Sequence, residues 1–442
     1  MSTYIRPAVL AVATTVLLGA VAGCGGQQAL TGREGSRHDD AAAQRGPSAR
    51  TSPQKPFTMV ATGDILSHDS VIRQAREDAA GSGYDFRTML AGAKSLASGA
   101  DLAICHMETV YGRSGGPFTG YPAFKTPPDV AAAVKDTGYE SCSSASNHSM
   151  DDGVDGVRRT ITAMDKAGLK HAGSADSARA RRHTTMMRAG GAKVAQLAYT
   201  YGTNDIPVPK NRRWAVNLID PKRIIADARA ARRAGADIVV TSMHWGTEWQ
   251  EEPDGDQKRL ARQLTRSRDG SGRKDIDLII GTHAHVPQAY EKVNGTWVVY
   301  GMGDQLAGKM NDPRGSMSSA ARFTFVPPKG GSSKGGGTSK GGAGGSAKAK
   351  GAGDARDAKD AKDAKGARSS RGAAGQGRQA EWSVKRAEYI PFFVQTTPRI
   401  SVVDLGRENA RDAGSGRAEA FRTIRDAVLS RGADKQGLRM GR

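Results

Sequence analysis

Apolar and polar positions change period repeatedly along this chain, and the alternation predicts its architecture. Residues 238–242 and 278–280 are uncharged and largely apolar, the pattern of strands covered on both faces. Residues 57–62 and 102–105 read as two further strands. Between them, residues 71–79 and 86–96 are helix-like, and residues 154–167 place Val154, Val157, Ile161 and Met164 at helical spacing. Residues 224–234, rich in Ala and Arg, favour another helix. Strands alternating with helices predict an α/β fold. Later the pattern becomes antiparallel. Residues 289–293 and 296–300 flank Asn294-Gly295, a hairpin signal, because both residues tolerate the positive φ that a tight primed turn requires. Residues 322–326 and 400–403 read as later strands, and Phe421, Ile424, Val428 and Leu429 mark a C-terminal amphipathic helix.

Two stretches carry no such pattern. Residues 24–56 are poor in large apolar side chains, and residues 327–380 contain GGSSKGGGTSKGGAGG and DAKDAKDAK, compositions that bury too little surface to offset ordering entropy. They are expected to be a disordered tether and a disordered Gly/Lys-rich insert. Residues 1–23 pair Arg6 with an apolar run ending in Val21-Ala22-Gly23-Cys24, the pattern of a bacterial lipoprotein signal peptide. Cleavage before Cys24 and lipidation of its thiol would tether an exported protein to the outer face of the cytoplasmic membrane. The remainder is one domain, residues 57–326 completed by strands and a helix in residues 381–432, with residues 433–442 as a tail.

The formal charge of +20 sits mostly outside that domain. Residues 327–380 hold 12 basic and 4 acidic side chains, residues 1–55 hold 6 and 3, and residues 406–442 hold 9 and 5, which leaves +5 for the body. Charge in such segments adheres to anionic lipid or polymer by screened attraction. No module of interleaved aromatic and basic residues accompanies it, so specific nucleic-acid recognition is not expected. Cys105 and Cys142 end apolar stretches that read as neighbouring strands; a bridge between them is open to an exported protein, although buried free thiols are the commoner state in strands.

Five polar clusters fall at or just after predicted strand ends: Asp64 with His68, His106 with Glu108, Asn147-His148 with Asp151, His244, and His283 with His285. Singly, each reads as a turn, a cap or a hydrogen-bonded histidine. Together they bring six of the nine histidines and the carboxylates Asp64 and Glu108 to one edge of a sheet, where α/β proteins bind ligands. Imidazole with carboxylate suits a first-row divalent ion such as Mn, Fe or Zn. A carboxylate can bridge two such ions, which predicts a two-metal hydrolase. Neither a GxSxG elbow nor a P-loop is present. His38, His171 and His183 stand outside any motif and read as surface or structural residues.

The stretches GDILSHD (63–69), METV (107–110), FTGYPAFKTPPDVAAAVKDTGYESCSSASNHSMDDG (118–153), SMHWGTEW (242–249), GTHAHVPQ (281–288) and YGMGDQL (300–306) resemble the CapA family of poly-γ-glutamate capsule-synthesis proteins. That family's fold is similar to the calcineurin-like metallophosphoesterases, with layered sheets flanked by helices. The resemblance implies that Asp64 and His285 hold a first metal, that Asn147, His244 and His283 hold a second, and that Glu108 bridges them. It implies that His148 donates a proton to a leaving group and that Asp151 orients it. His68 and His106 occupy departures from the family pattern, either as ligands or as supporting groups, and Asp304 replaces an Asn and reads as a turn residue. Two functions follow as expectations. One is a metal-dependent hydrolase acting on an anionic envelope polymer such as poly-γ-glutamate or on a phosphate ester. The other is a non-catalytic, polymer-binding accessory of assembly or export, working beside a membrane capsule synthase.

Overall fold

A computed structural model describes residues 53–328, 381–407 and 415–442. The signal peptide, Cys24, nearly all of the tether and the body of the insert lie outside the described residues. The chain builds two sheets in turn and then returns to the first. β1 (Phe57–Ile65), β2 (Leu102–Met107), β3 (Ser141–Ser143) and β4 (Lys170–Ala172) run parallel as neighbours. A second, six-stranded sheet follows: β5 (Thr185–Ala189), β6 (Ala192–Thr200), β7 (Ile238–His244), β8 (Leu278–Thr282), β9 (Tyr290–Val293) and β10 (Thr296–Val299), in spatial order β5-β6-β7-β8-β10-β9. β11 (Asp304–Leu306), β12 (Met317–Val326), β13 (Ser383–Gln395), β14 (Ser401–Asp404) and β15 (Leu438–Met440) complete the first sheet, nine strands in all.

Seven helices connect these strands: α1 (Asp69–Asp78), α2 (Arg87–Ser98), α3 (Val130–Thr137), α4 (Gly153–Lys166), α5 (Pro221–Arg233), α6 (Gly255–Arg266) and α7 (Ser415–Leu429). The sheets face each other across a core of Met59, Ile104, Val240, Ile280, Val299 and Phe323, to which Phe57 stacks on Phe325 at 5.3 Å. The outer face of the first sheet is covered by α1, α2 and α3 through Val71, Leu90 and Val134. The outer face of the second is covered by α5 and α6 through Ile224, Ala228, Leu260 and Leu264. The result is the layered α/β architecture expected from the pattern, with β7 and β8 buried on both faces as their largely apolar, uncharged runs predict.

The hairpin forms at Asn294-Gly295, whose φ values are 49° and 76°. Three expectations need correction. Residues 433–442 are no tail, because β15 pairs in parallel with β13 and Leu438 joins the core between the sheets. Cys105 and Cys142 are register partners on β2 and β3 and are joined as a disulfide rather than free. Asp304 is no turn residue: it opens β11 and lies beside Asp64 in the ladder. Another hairpin, β5–β6, turns at Gly190-Gly191, a signal as plain as Asn294-Gly295.

Candidate metal centre

Every strand that contributes a side chain to the site ends at the same edge. Asp64 is the penultimate residue of β1, and Gly63 before it packs so closely on Gly303 that a Cβ would lie 1.8 Å from the Gly303 carbonyl oxygen. Only glycine lets β1 meet that turn, and the contact sets Asp64 against Asp304. Glu108 follows β2 directly. After β3 the chain turns through residues 144–149, where the Ser146 hydroxyl donates to the Glu108 carbonyl and accepts from the His148 N–H at 3.1 Å. These bonds fix Asn147 and His148 relative to Glu108. His244 is the last residue of β7. His283 and His285 follow β8 with φ of 95° and 57°, left-handed values that a non-glycine residue adopts only when its surroundings enforce them. The His283 N–H donates to Asp64 Oδ2 at 3.1 Å, which is part of that enforcement.

The predicted ligands converge. Asp64 Oδ1 lies 3.6 Å from His106 Nε2 and 3.9 Å from His244 Nδ1, and Glu108 Oε1 lies 3.7 Å from His244 Nε2 and 4.0 Å from His285 Nε2. Asn147 Oδ1 is 2.8 Å from His244 Nε2. Three sets of donor atoms lie within 4.8 Å of one another: Asp64, His106 and His244; Glu108, His244 and His283; Asp64, Glu108 and His285. His106 therefore belongs to the cluster, with its Nδ1 held by Ser143 Oγ at 2.6 Å. His68 is in none of the sets. The Gly308 N–H donates to its Nδ1 at 3.1 Å, and its ring packs edge-on against Phe124.

Supporting groups orient several of these side chains. His148 Nδ1 is 2.7 Å from Asp151 Oδ2, so the Nδ1–H donates to that carboxylate and the chemistry of the ring falls to Nε2. Asp304 Oδ1 holds His285 Nδ1 at 2.9 Å, the carboxylate–histidine pairing that typically steadies a metal ligand. Tyr201, unremarked in the sequence, stands just past β6. Its ring lies 4.5 Å from that of His283, and its hydroxyl hydrogen-bonds Asn147. The signal was its place after a strand, but β6 itself went unread.

The electrostatics have one theme. Burial, reinforced by Asp304, pushes Asp64 up to about 8, and burial beside Asp64 raises Glu108 well above the usual carboxylate range. Burial lowers His106 and His283 to about 3 and His244 well below its ordinary value. For His285, burial opposes the charge, but Asp304, Glu108 and Asp64 outweigh it and hold the imidazole well above its ordinary value. The neutral imidazoles of His106, His244 and His283 crowd against buried carboxyl groups, with His285 the one cationic ring beside them. Asp64 Oδ1, His106 Nε2, both Glu108 oxygens and His283 Nδ1 are buried without a hydrogen-bond partner, an arrangement costly unless something satisfies it. A divalent cation fits that demand in charge, in donor type and in the number of open lone pairs.

Fold and site together define a layered α/β protein with a buried His/carboxylate centre suited to divalent ions. The model of the bacterial capsule synthesis protein family PGA_cap matches residues 58–309, more than half of the sequence, and the chain belongs to that family. The PGA biosynthesis protein CapA of Bacillus subtilis is 30% identical over 181 residues, 41% of this chain and 46% of that protein. The capsule biosynthesis protein CapA of Bacillus anthracis is 25% identical over 179 residues, 40% and 42% of the two chains. A probable polyglutamine synthesis accessory protein of Mycobacterium tuberculosis is 26% identical over 215 residues, 46% and 55%. The match thus spans less than half the length of either Bacillus relative. Among solved structures, the calcineurin-like phosphoesterase YfkN of Bacillus subtilis aligns with a TM-score of 0.39 at 17% identity, over 63% of this chain and 87% of that one.

Proposed function

We propose that this protein is a metal-dependent hydrolase of cell-envelope polymer metabolism, acting on a phosphate ester or on the amide bonds of an anionic polymer such as poly-γ-glutamate. The observation that carries this reading is the set of unpartnered buried donors on Asp64, Glu108, His106 and His283, beside an exactingly placed His148–Asp151 pair. Asp64, Glu108, Asn147, His244, His283 and His285 would hold the ions, about two per chain by the bridging role of Glu108, with His106 in reserve beside Asp64. Divalent ions so held supply Lewis acidity toward the scissile group. The chain's own contribution is to position and to move a proton: His148 would pass the Nε2 proton of its imidazolium form to the departing atom, and Asp151, accepting from Nδ1–H, orients the ring and stabilises that cationic form. Anchoring through a lipidated Cys24 would keep the domain at the outer face of the cytoplasmic membrane. Among the described residues no helix is long and apolar enough to cross a membrane.

The test is metal analysis of the purified chain paired with hydrolysis of bis(p-nitrophenyl) phosphate. His283→Ala or Asn147→Ala should remove both bound ions and turnover, whereas His148→Ala should keep the ions and lose about 10²- to 10⁴-fold in rate. Full turnover by metal-free protein would sink the reading. A second reading, a non-catalytic polymer-binding accessory, is favoured by His68, whose Nδ1 is taken by the Gly308 amide. In that case His148→Ala leaves polymer retention intact and no hydrolysis appears in the wild type.

A further inference from the structure

The body's +5 conceals a division. Residues 165–233 carry 15 basic and 5 acidic side chains, a net +10, so the rest of the body is net −5. These residues form one flank: edge strand β4, the loop after it, β5, β6 and α5. The flank encloses a cavity of 970 Å³ lined by Lys170, Arg181, Arg182, Tyr199 and Asp227 among others. Three of its five acidic groups are already engaged, Asp176 and Asp205 being the other two. Asp227 receives Arg181 at 2.9 Å, Arg223 at 3.5 Å and the Tyr199 hydroxyl at 2.9 Å. Asp165 lies 3.3 Å from His171 Nε2, and Asp220 caps α5 through the Lys222 N–H. The cations are in surplus. Arg179, Arg182 and Lys222 are exposed and make no ion pair among the described residues, and Lys170 Nζ has only the Met186 carbonyl. The cavity wall and the candidate site share the loop after β3, because Ser174 in the wall hydrogen-bonds Ser144, three residues before Asn147.

We propose that this cavity and its basic rim are the binding groove for a γ-linked glutamate polymer, leading its carboxylates along β4 and α5 toward the carboxyl edge where Asp64 and Glu108 sit. The assignment rests on the polymer reading above and adds to it where the polymer lies. The groove itself displays the recognition chemistry, since Arg181 and Arg223 already clasp one carboxylate, that of Asp227. Unpaired cations spread beyond the cavity suit a ligand with repeated negative charges rather than a single small anion.

The experiment measures binding of γ-linked polyglutamate to the full chain at low and at physiological salt. Arg179→Glu/Arg182→Glu/Lys222→Glu should weaken binding by about tenfold or more, as expected from several screened ion pairs lost together, and should flatten its salt dependence. A control with the same change in net charge, Arg73→Glu/Lys94→Glu/Arg422→Glu, should bind within about twofold of wild type if diffuse attraction contributes little. Ala230→Phe, which narrows the cavity at unchanged charge, should also weaken binding. Equal loss in the control triple, or equal affinity for single-stranded DNA of matched charge, overturns the groove. Absence of binding by the wild type even at low salt instead refutes the polymer reading itself. Metal content of the flank variants stays at the wild-type level, which separates this proposal from the fate of the metal centre.

Discussion

The two sheets give the candidate centre different things. The first supplies the acids and the amide, Asp64 from β1, Glu108 after β2 and Asn147 after β3. The second supplies imidazoles from the ends of β7 and β8, His244, His283 and His285. Neither half holds a complete donor set, and two of the three candidate sets draw a carboxylate from one sheet and most of their imidazoles from the other. A centre divided in this way depends on the core between the sheets as much as on its own residues. It also separates two requirements: carboxylates that must lose protons despite burial, and imidazoles of which burial keeps His244 and His283 neutral and ready to coordinate, while His285 must first give up the proton its carboxylate neighbours hold on it.

The largest effect should come from removing a donor from either side. Glu108→Gln on the first sheet and His244→Ala on the second should each lower affinity for Mn²⁺ by more than the roughly 10- to 100-fold that loss of a supporting group costs, as read by titration calorimetry. Similar losses from the two sides support a shared centre. Loss from one side only would show that the other sheet is a bystander. The separation itself can be attacked next. Phe325→Ala removes the ring stacked on Phe57 between the sheets and should cost about 3 to 5 kcal/mol of stability by urea unfolding. If the sheets must hold their spacing for binding, affinity falls in the same variant while every donor residue is intact.

Smaller still is the effect of a group that touches a ligand only from behind. Asp304→Asn leaves His285 in place but removes the carboxylate that holds its Nδ1. Metal affinity should fall by about 10- to 100-fold, well short of the loss from His285→Ala measured in the same way. Equal losses in the two variants would mean that Asp304 acts as a ligand itself.

What was legible in the sequence follows the same division between local and long-range causes. The five polar clusters could be read because each sits within a few residues of an apolar run, and strands project such residues toward one edge whatever their neighbours are. The role of Asp304 could not, because it arises from β11 pairing with β1 at Asp64, a contact between residues far apart in the chain. α6 had a local signal that went unused: Asp254 and Gln257 form a capping box ahead of Leu260, Ala261 and Leu264. The basic flank was invisible for another reason. Averaging charge over the whole body cancelled +10 in one stretch against −5 in the rest, and only the fold shows that the stretch encloses a cavity.

The mildest test changes no residue, only the pH, and it asks whether the carboxylate side or the imidazole side governs the metal-free protein. His106 and His283, lowered to about 3 by burial, and His68, lowered to about 4, bind fewer protons folded than unfolded. Their contribution makes stability rise with pH, and it is complete once the pH passes the ordinary histidine value of 6.5. Asp64 behaves in the opposite sense. Raised from 3.8 to about 8, it binds more protons folded than unfolded, so its contribution is full at low pH and is lost as the pH climbs through about 8. Glu108 and His285, both raised, act in the same direction. Between pH 6.5 and 8, then, the chelated protein should lose stability as pH rises, by a slope approaching about 1.4 kcal/mol per pH unit for each such group. Saturating Mn²⁺ should reverse the trend, because a cation that needs these groups deprotonated competes with protons and binds more tightly as they leave. Thermal unfolding across that window, with and without the ion, checks both signs at once; because the histidine contribution is already complete there, a chelated protein that grew more stable with pH would show that Asp64, Glu108 and His285 do not hold their protons in the folded state.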